Sequence, residues 1–180
     1  DKVKIPVLQI GGYYDIFAEG VLNNFIGMRA RGGSELARNN QRVIMGPWIH
    51  GTSLTHAGEV DFGMESTLDP QEVELQWFDR WLKNIPNGAD KEAPVRIFTM
   101  GINEWRNENE WPLARTQYTP YYFHSDGSAN SLLGDGRLII DTPSDESSDG
   151  FVYNPAFPVP TRGGGTCCNP EIVPWGAYDQ

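Results

Sequence analysis

Two residues of this 180-residue chain stand where acid–base chemistry can be done. His50 closes the run Arg42 to Gly51, RVIMGPWIHG, in which Val43, Ile44 and Met45 are consecutive apolar residues bounded by Gln41-Arg42 and by Gly46-Pro47. Such a run reads as a buried strand that ends abruptly at the Gly-Pro turn. A histidine just past the C-terminal end of a strand sits where open parallel sheets gather reactive groups. A lone histidine there also fits a loop residue with local hydrogen bonds, so its reading depends on a partner. Asp15 is that partner. It follows Ile5 to Ile10, IPVLQI, a second apolar run of strand length closed by Gly11-Gly12 and Tyr13-Tyr14. A carboxylate beside an imidazole fixes the ring's tautomer and stabilises the imidazolium formed when the ring takes a proton.

The elements between these residues bring them to one rim. After Phe17 the spacing turns helical, with Val21, Phe25 and Met28 on one stripe and Leu22 and Ile26 beside it, ending at Gly32-Gly33. A strand, a helix and a strand make a βαβ unit, whose parallel strands present their C-terminal ends on the same side. Thr52 to Leu68, rich in Gly, Ser, Thr and acids, reads as a surface loop. Asp69-Pro70 offers an N-cap with proline at the first helical position, and Val73, Trp77 and Trp81 with Phe78 and Leu82 follow at helical spacing, as core-packing residues. Lys83 to Ala93, KNIPNGADKEA, has the composition of a linker.

Beyond it the pattern is that of strands: Val95 to Met100, Thr119 to His124, Arg137 to Ile140 and Gly150 to Tyr153, separated by clusters such as Ser125-Asp126-Gly127. Short strands with Gly, Pro, Asp and Ser punctuation predict a β-sandwich. From Asn154 onward the prolines and Gly163-Gly164-Gly165 preclude a regular element. The fold class expected is therefore α/β plus all-β: residues 1–90 as part of a parallel α/β domain carrying the acid and His loops, and 91–180 as an incomplete β-sandwich. An unclosed sandwich leaves an exposed edge, and the expectation is a chain incomplete at both ends.

Composition removes several function classes. With 39% apolar and 12% aromatic residues the chain is globular. The net charge of −10 and 14 scattered Lys and Arg argue against a nucleic-acid or anionic-membrane partner. No apolar run approaches the roughly 20 residues that cross a bilayer, and Asp1-Lys2-Val3-Lys4 does not resemble a signal peptide, which leaves the compartment open. Cys167 and Cys168 are adjacent; a vicinal disulfide is open to them, with two reduced thiols the expected state. His56 and His124 lack metal-type spacing, so no metal and no cofactor is expected. Glu104, Glu108 and Glu110 read as a solvated acidic stretch.

Four stretches carry a resemblance. GGYYDIF (Gly11 to Phe17), MGPWIHG (Met45 to Gly51), FDRWLKN with the following PVRIFTMGINEW (Phe78 to Trp105), and YNPAFPVPTRGG (Tyr153 to Gly164) resemble, in order, the Xaa-Pro dipeptidyl-peptidase and cocaine-esterase-like serine hydrolases. The resemblance implies an α/β-hydrolase domain with a helical cap and a C-terminal jelly-roll β-sandwich. It implies a small-molecule or peptide acyl substrate, and no cofactor. Carried over residue by residue, Asp15 matches the family's triad acid, His50 its triad base, and Phe17 a position lining the acyl pocket; as a helix-opening phenylalanine Phe17 also fits plain core.

The departure from the family is the nucleophile. In α/β-hydrolases the order is Ser, acid, His, with the serine on an upstream G-x-S-x-G elbow. No such motif occurs here. The nearest approach, Gly51-Thr52-Ser53-Leu54-Thr55, lacks the second glycine and follows the histidine, so Ser53 reads as a loop serine. The expectation is two-thirds of a triad, inactive alone, from the C-terminal part of a serine hydrolase. The alternative is a non-catalytic carbohydrate-binding or interaction module, with Trp105, Trp111, Tyr118, Tyr121 and Tyr122 as a sugar-stacking platform. A homo-oligomer stays open on either reading.

Overall fold

In the computed structural model of the chain, residues 2–51, 53–167, 169 and 171–179 are described. They form two compact units, one of residues 1–114 with 161–180 and one of residues 115–160.

The first unit is built on a mixed sheet. Strand β1 (Val7–Tyr14) is followed by helix α1 (Ala18–Arg31), a short α2 (Glu35–Asn39) and strand β2 (Gln41–Ile49), which pairs parallel with β1. The helix forms where the 3.6-residue stripe predicts it, and that stripe is what it buries: Phe25 and Met28 are sealed, Phe25 in one cluster with Val43, Met45, Val95 and Ile97. Ser34 then caps α2, its hydroxyl oxygen accepting from the Ala37 N–H at 3.0 Å.

Both strands run further than their apolar cores. Strand β2 does not stop at Gly46-Pro47 but continues to Ile49, with all residues from Gln41 to Trp48 buried. Proline survives inside it because the β1–β2 register shifts between Gly12 and Tyr14, a bulge at which a ladder N–H is not needed. The glycines there are dictated by Trp48. A Cβ on Gly46 would lie 2.3 Å from the Trp48 ring, and one on Gly12 would lie 2.2 Å from the Trp48 carbonyl oxygen.

The stretch expected to be a surface loop is instead partly buried. It folds into a hairpin of β3 (His56–Ala57) and β4 (Val60–Asp61) and a 3-10 turn at Met64–Ser66. Ala57, Phe62 and Phe98 make a second core cluster, with Tyr13, Tyr14, Ile49 and Trp105 packed against it. Helix α3 (Pro70–Trp81) begins as expected, the Asp69 carboxylate accepting from the N–H of Gln71 at 2.9 Å. Of its aromatics Trp77 is buried, whereas Phe78 is half exposed. The segment read as a linker is tied back to this helix, through Arg80 with Asp90 and through the Asn87 side chain, which donates to the Gln76 carbonyl.

The largest departure concerns Val95–Thr99. This strand, β5, was expected in the sandwich; it pairs parallel with β2, placing Val95 beside Val43 and Ile97 beside Met45. The acidic stretch after it forms β6 (Glu104–Glu108), antiparallel to β5, giving the order β1-β2-β5-β6. The sheet therefore crosses residue 90, where the sequence places a domain boundary. Partner choice explains the difference: alternation predicts a strand, but not which neighbour it hydrogen-bonds.

In the second unit the described strands are β7 (Tyr122–His124) and β8 (Arg137–Ile139), one antiparallel pair. Gly150 to Tyr153, expected as a strand, forms no strand among the described residues. His124 Nδ1 donates to the Glu146 carboxylate at 2.6 Å, and the Ser125 N–H donates to the same carboxylate, so this histidine has a local structural partner.

Tyr13 packs against both core clusters of the first unit, and burial pushes its phenol up from 10.0 to about 12. The folded state then releases this proton later than the unfolded one. Its effect is absent below pH 10, and stability falls as pH rises from about 10 towards 12, by about 1.4 kcal/mol per unit. Alkaline unfolding monitored by circular dichroism is expected to lose up to about 2–3 kcal/mol of its pH dependence in Tyr13→Phe.

Candidate functional site

The bulge that ends the β1–β2 ladder delivers both chemistry-bearing side chains to the same end of the sheet. Beyond Tyr14 the chain turns at once: the Asp15 N–H donates to the Gly12 carbonyl at 3.2 Å, and the Ala18 N–H donates to the Asp15 carbonyl at 3.1 Å, which starts α1. Beyond Ile49 the chain turns at Gly51, whose φ of 72° is left-handed and suits glycine. His50 and Asp15 are thereby the first residues past two neighbouring parallel strands.

They meet. His50 Nδ1 lies 3.1 Å from Asp15 Oδ2 and 3.2 Å from Oδ1. A carboxylate only accepts, so this contact requires the proton on Nδ1 and leaves the Nε2 lone pair free. Exposure divides the pair by role: the Asp15 side chain is 11% exposed and that of His50 41%. Nε2 has no hydrogen-bond partner among the described residues. Asp15 is itself held, Oδ1 also accepting the Phe17 N–H at 2.9 Å. The Phe17 ring lies edge-on to the His50 imidazole with centroids 5.5 Å apart, and its side chain is half exposed. The structure thus brings together all three residues singled out in the sequence, with Phe17 beside the imidazole instead of in the core.

Behind the pair is a cavity of about 160 Å³ whose walls include Gly11, Gly12, Asp15, Trp48, Ser53 and Leu68. Ser53 reaches this cavity, yet its hydroxyl donates to the Leu68 carbonyl at 2.5 Å, as suits a serine that ties one loop to another. Trp48 is the back wall: it is 2% exposed and its indole N–H donates to the Ser66 carbonyl at 2.8 Å. Sequence reasoning missed Trp48 and Ser66; the Gly46-x-Trp48 spacing, a glycine under a large ring, was the available signal.

The aromatics proposed as a sugar platform divide between the units. Trp105 packs tilted against Trp48 and edge-on to Phe98 and donates to the Glu65 carbonyl at 2.7 Å, and Trp111 packs on the first core cluster. Tyr118 and Tyr121 are exposed in the second unit. Among the described residues no group of three or more His, Cys, Asp and Glu could hold a metal ion, and no helix is long and apolar enough to cross a membrane. Cys167 is disulfide-bonded, which corrects the expectation of two reduced thiols; Cys168 lies outside the described residues.

Two family models match this sequence. Residues 1–52, which include Asp15, Phe17 and His50, match the X-Pro dipeptidyl-peptidase (S15 family) model. Residues 87–158 match that of the X-Pro dipeptidyl-peptidase C-terminal non-catalytic domain. The cocaine esterase of Rhodococcus sp. is 35% identical over 162 residues, 88% of this chain and 27% of that protein. A putative serine esterase of Mycobacterium bovis is 24% identical over 155 residues, 82% of this chain and 21% of its own length. The chain thus spans about a quarter of the length of the curated relatives it matches. A solved aminopeptidase from the marine sediment archaeon Thaumarchaeota archaeon shares the fold, with a TM-score of 0.61 at 24% identity over 88% of this chain and 24% of that one.

Proposed function

Because this chain belongs to the X-Pro dipeptidyl-peptidase and cocaine-esterase-like family, we propose that the full-length polypeptide carrying it cleaves an ester or amide bond through a serine acyl-enzyme. Asp15 and His50 are the acid and base of the triad, and the serine comes from outside these 180 residues. The observation that carries this reading is the Asp15–His50 pair, 3.1 Å apart at the C-terminal ends of the parallel strands β1 and β2, with the imidazole 41% exposed.

The chemistry follows from the pair's geometry. His50 Nε2 takes the proton from the serine hydroxyl as the oxygen attacks the acyl carbon. Asp15, accepting from Nδ1, keeps the ring in the tautomer that can do so and stabilises the imidazolium that results. The imidazolium then gives the proton to the departing alkoxide or amine. Water then attacks the acyl carbon as His50 takes its proton, and the imidazolium returns that proton to the serine oxygen as the acyl group leaves as a carboxylic acid. The oxyanion-hole donors are assigned, like the serine, to the rest of the polypeptide. The outer side of β1, an edge strand among the described residues, suits the continuation of the sheet towards them: a groove beside it is lined by Ile5, Leu8, Ile10, Trp77 and Phe78, with Glu74 as its charged member. The jelly-roll expected after the hydrolase domain belongs to the same proposal for the intact protein.

On this reading the purified 180-residue chain shows no turnover of a p-nitrophenyl ester above the rate of free imidazole, while the full-length polypeptide does. Turnover by the short chain that disappears in His50→Ala would place a nucleophile within these residues and refute the assignment. Phe17, half exposed and edge-on to His50, is assigned to the acyl side of the pocket. Losing its contact with an aromatic acyl group removes about 1–2 kcal/mol of binding. Phe17→Ala in the full-length enzyme is therefore expected to raise KM for a benzoyl ester roughly tenfold, with kcat little changed. A fall in kcat at constant KM would assign Phe17 to the support of His50 alone.

A further inference from the structure

The described residues among 161–179 form no helix or extended strand, yet they fold back on the first unit at the acid loop and at the β3–β4 hairpin. The segment closes on itself where Gly164 and Gly176 exchange N–H···O bonds of 2.7 and 3.0 Å. One limb then meets the acid loop: Gly165 lies against the backbone of Asp15, where a Cβ would come within 3.2 Å of the Asp15 carbonyl oxygen and 3.9 Å of the Ile16 nitrogen. The other limb is pinned to the β3–β4 hairpin. The Ala177 N–H donates to the Ala57 carbonyl at 3.1 Å, the Glu59 N–H donates to the Ala177 carbonyl at 2.8 Å, and Arg162 pairs with Glu59 at 2.5 Å while lying over the Tyr178 ring.

The fit at both ends is backbone on backbone. A Cβ on Gly58 would meet the Ala177 carbonyl oxygen at 2.4 Å, and one on Gly176 would meet the Gly58 nitrogen at 2.3 Å. Such contacts leave no flexible side chain to absorb a shift, so they hold position more tightly than an exposed ion pair does. The hairpin in turn carries Ala57 into the cluster that includes Tyr14 and Ile49. Those are the residues immediately before Asp15 and His50.

From these contacts we infer that residues 161–179 are a strap that positions the Asp15–His50 pair, and that Gly165 is a positioning residue for the hydrolase reaction. The strap bears on the acid loop directly and on the ends of β1 and β2 through the hairpin. Gly165 limits how far the Asp15 turn can lift, and Ala177 holds the hairpin that backs Tyr14 and Ile49. No strap residue reaches the imidazole in any hydrogen bond described, so its effect passes through the backbone of the acid loop. Orienting contacts of this kind matter because misplacement by about 1 Å can cost on the order of a hundredfold in rate. The inference rests on the reading of Asp15 and His50 as acid and base.

The test reads the tautomer of His50 in the full-length polypeptide, from long-range ¹⁵N–¹H correlations of the neutral ring with histidine labelled selectively. Wild type is expected to show a single Nδ1–H form, and Asp15→Asn to lose that purity. Gly165→Val is expected to lose it too, and Gly165→Ala to lose part of it, with the core methyl resonances of Val43 and Ile97 unmoved in both. A Gly165 series with wild-type tautomer, beside an Asp15→Asn that changes it, overturns the strap and spares the pair. A wild type without the single Nδ1–H form overturns the pair itself. Should Gly165→Val not fold, Gly165→Ala decides: a mixed tautomer supports the strap, and an unchanged one refutes it.

Discussion

His50→Ala in the full-length polypeptide is expected to lower kcat for an activated ester by at least about ten-thousandfold, and Asp15→Asn by about the same factor. That is a loss of about 5 kcal/mol of transition-state stabilisation in each case. The two substitutions act on one device. Nε2 can take a proton only while Nδ1 holds its own against Asp15, at 3.1 Å in this structure. Removing the ring removes the base. Replacing the carboxylate with an amide lets the side chain donate to Nδ1 and so selects the tautomer with Nε2 already protonated. The double variant should consequently be no slower than His50→Ala alone, because a unit broken once is not broken further. KM should stay close to that of the parent, since neither group is needed to hold the acyl substrate. Steady-state kinetics of the three variants check this. Additive losses would mean that Asp15 has a separate role.

Trp48→Ala should produce the largest loss of stability of any single substitution considered. The side chain is 2% exposed, lines the site cavity, and packs tilted against Trp105, which itself packs on the second core cluster. Truncating a buried aromatic costs about 3–5 kcal/mol. It also strands the Ser66 carbonyl, which accepts the indole N–H at 2.8 Å. Gly46, beneath the ring, has no side chain to fill the gap. Trp48→Phe, which keeps most of the volume and loses the hydrogen bond, is expected to cost about 1–2 kcal/mol. Denaturant titration separates them: equal losses would show that the hydrogen bond, not the packing, sustains this wall. Because the indole is only two residues from His50, Trp48→Ala should also loosen the site before it unfolds the sheet.

The site was more legible in the sequence than the architecture around it. Two apolar runs each stopping at glycine, followed by an acid and by a histidine, are a local pattern, and a parallel βαβ unit is the simplest way to join them. That is why Asp15 and His50 emerge together. Phe17 was visible only by resemblance, since a phenylalanine opening a helix fits core and pocket equally; its edge-on contact with His50 comes from the turn after Asp15. Helices α1 and α3 were readable for the same local reason, a stripe in one case and an Asp-Pro cap in the other.

What was not legible depends on distant partners. Pro47 looks like a strand breaker until the bulge opposite Gly12 is known. Val95–Thr99 alternates in the manner of a sandwich strand, and only its place beside β2 makes it part of the first sheet. The hairpin at 56–61 and the strap at 161–179 have loop compositions, and they are ordered by backbone contacts that glycines permit and that no periodicity announces.

The most direct measurement is labelling of the full-length polypeptide by a fluorophosphonate, which phosphonylates a serine only when its proton is being removed by a positioned base. Wild type is expected to label rapidly at one serine outside these 180 residues. His50→Ala and Asp15→Asn are expected to label at least a hundredfold more slowly, with the fold retained by circular dichroism. Undiminished labelling in His50→Ala, or labelling at a serine within the 180 residues, would contradict the assignment of Asp15 and His50 as the acid and base of the triad.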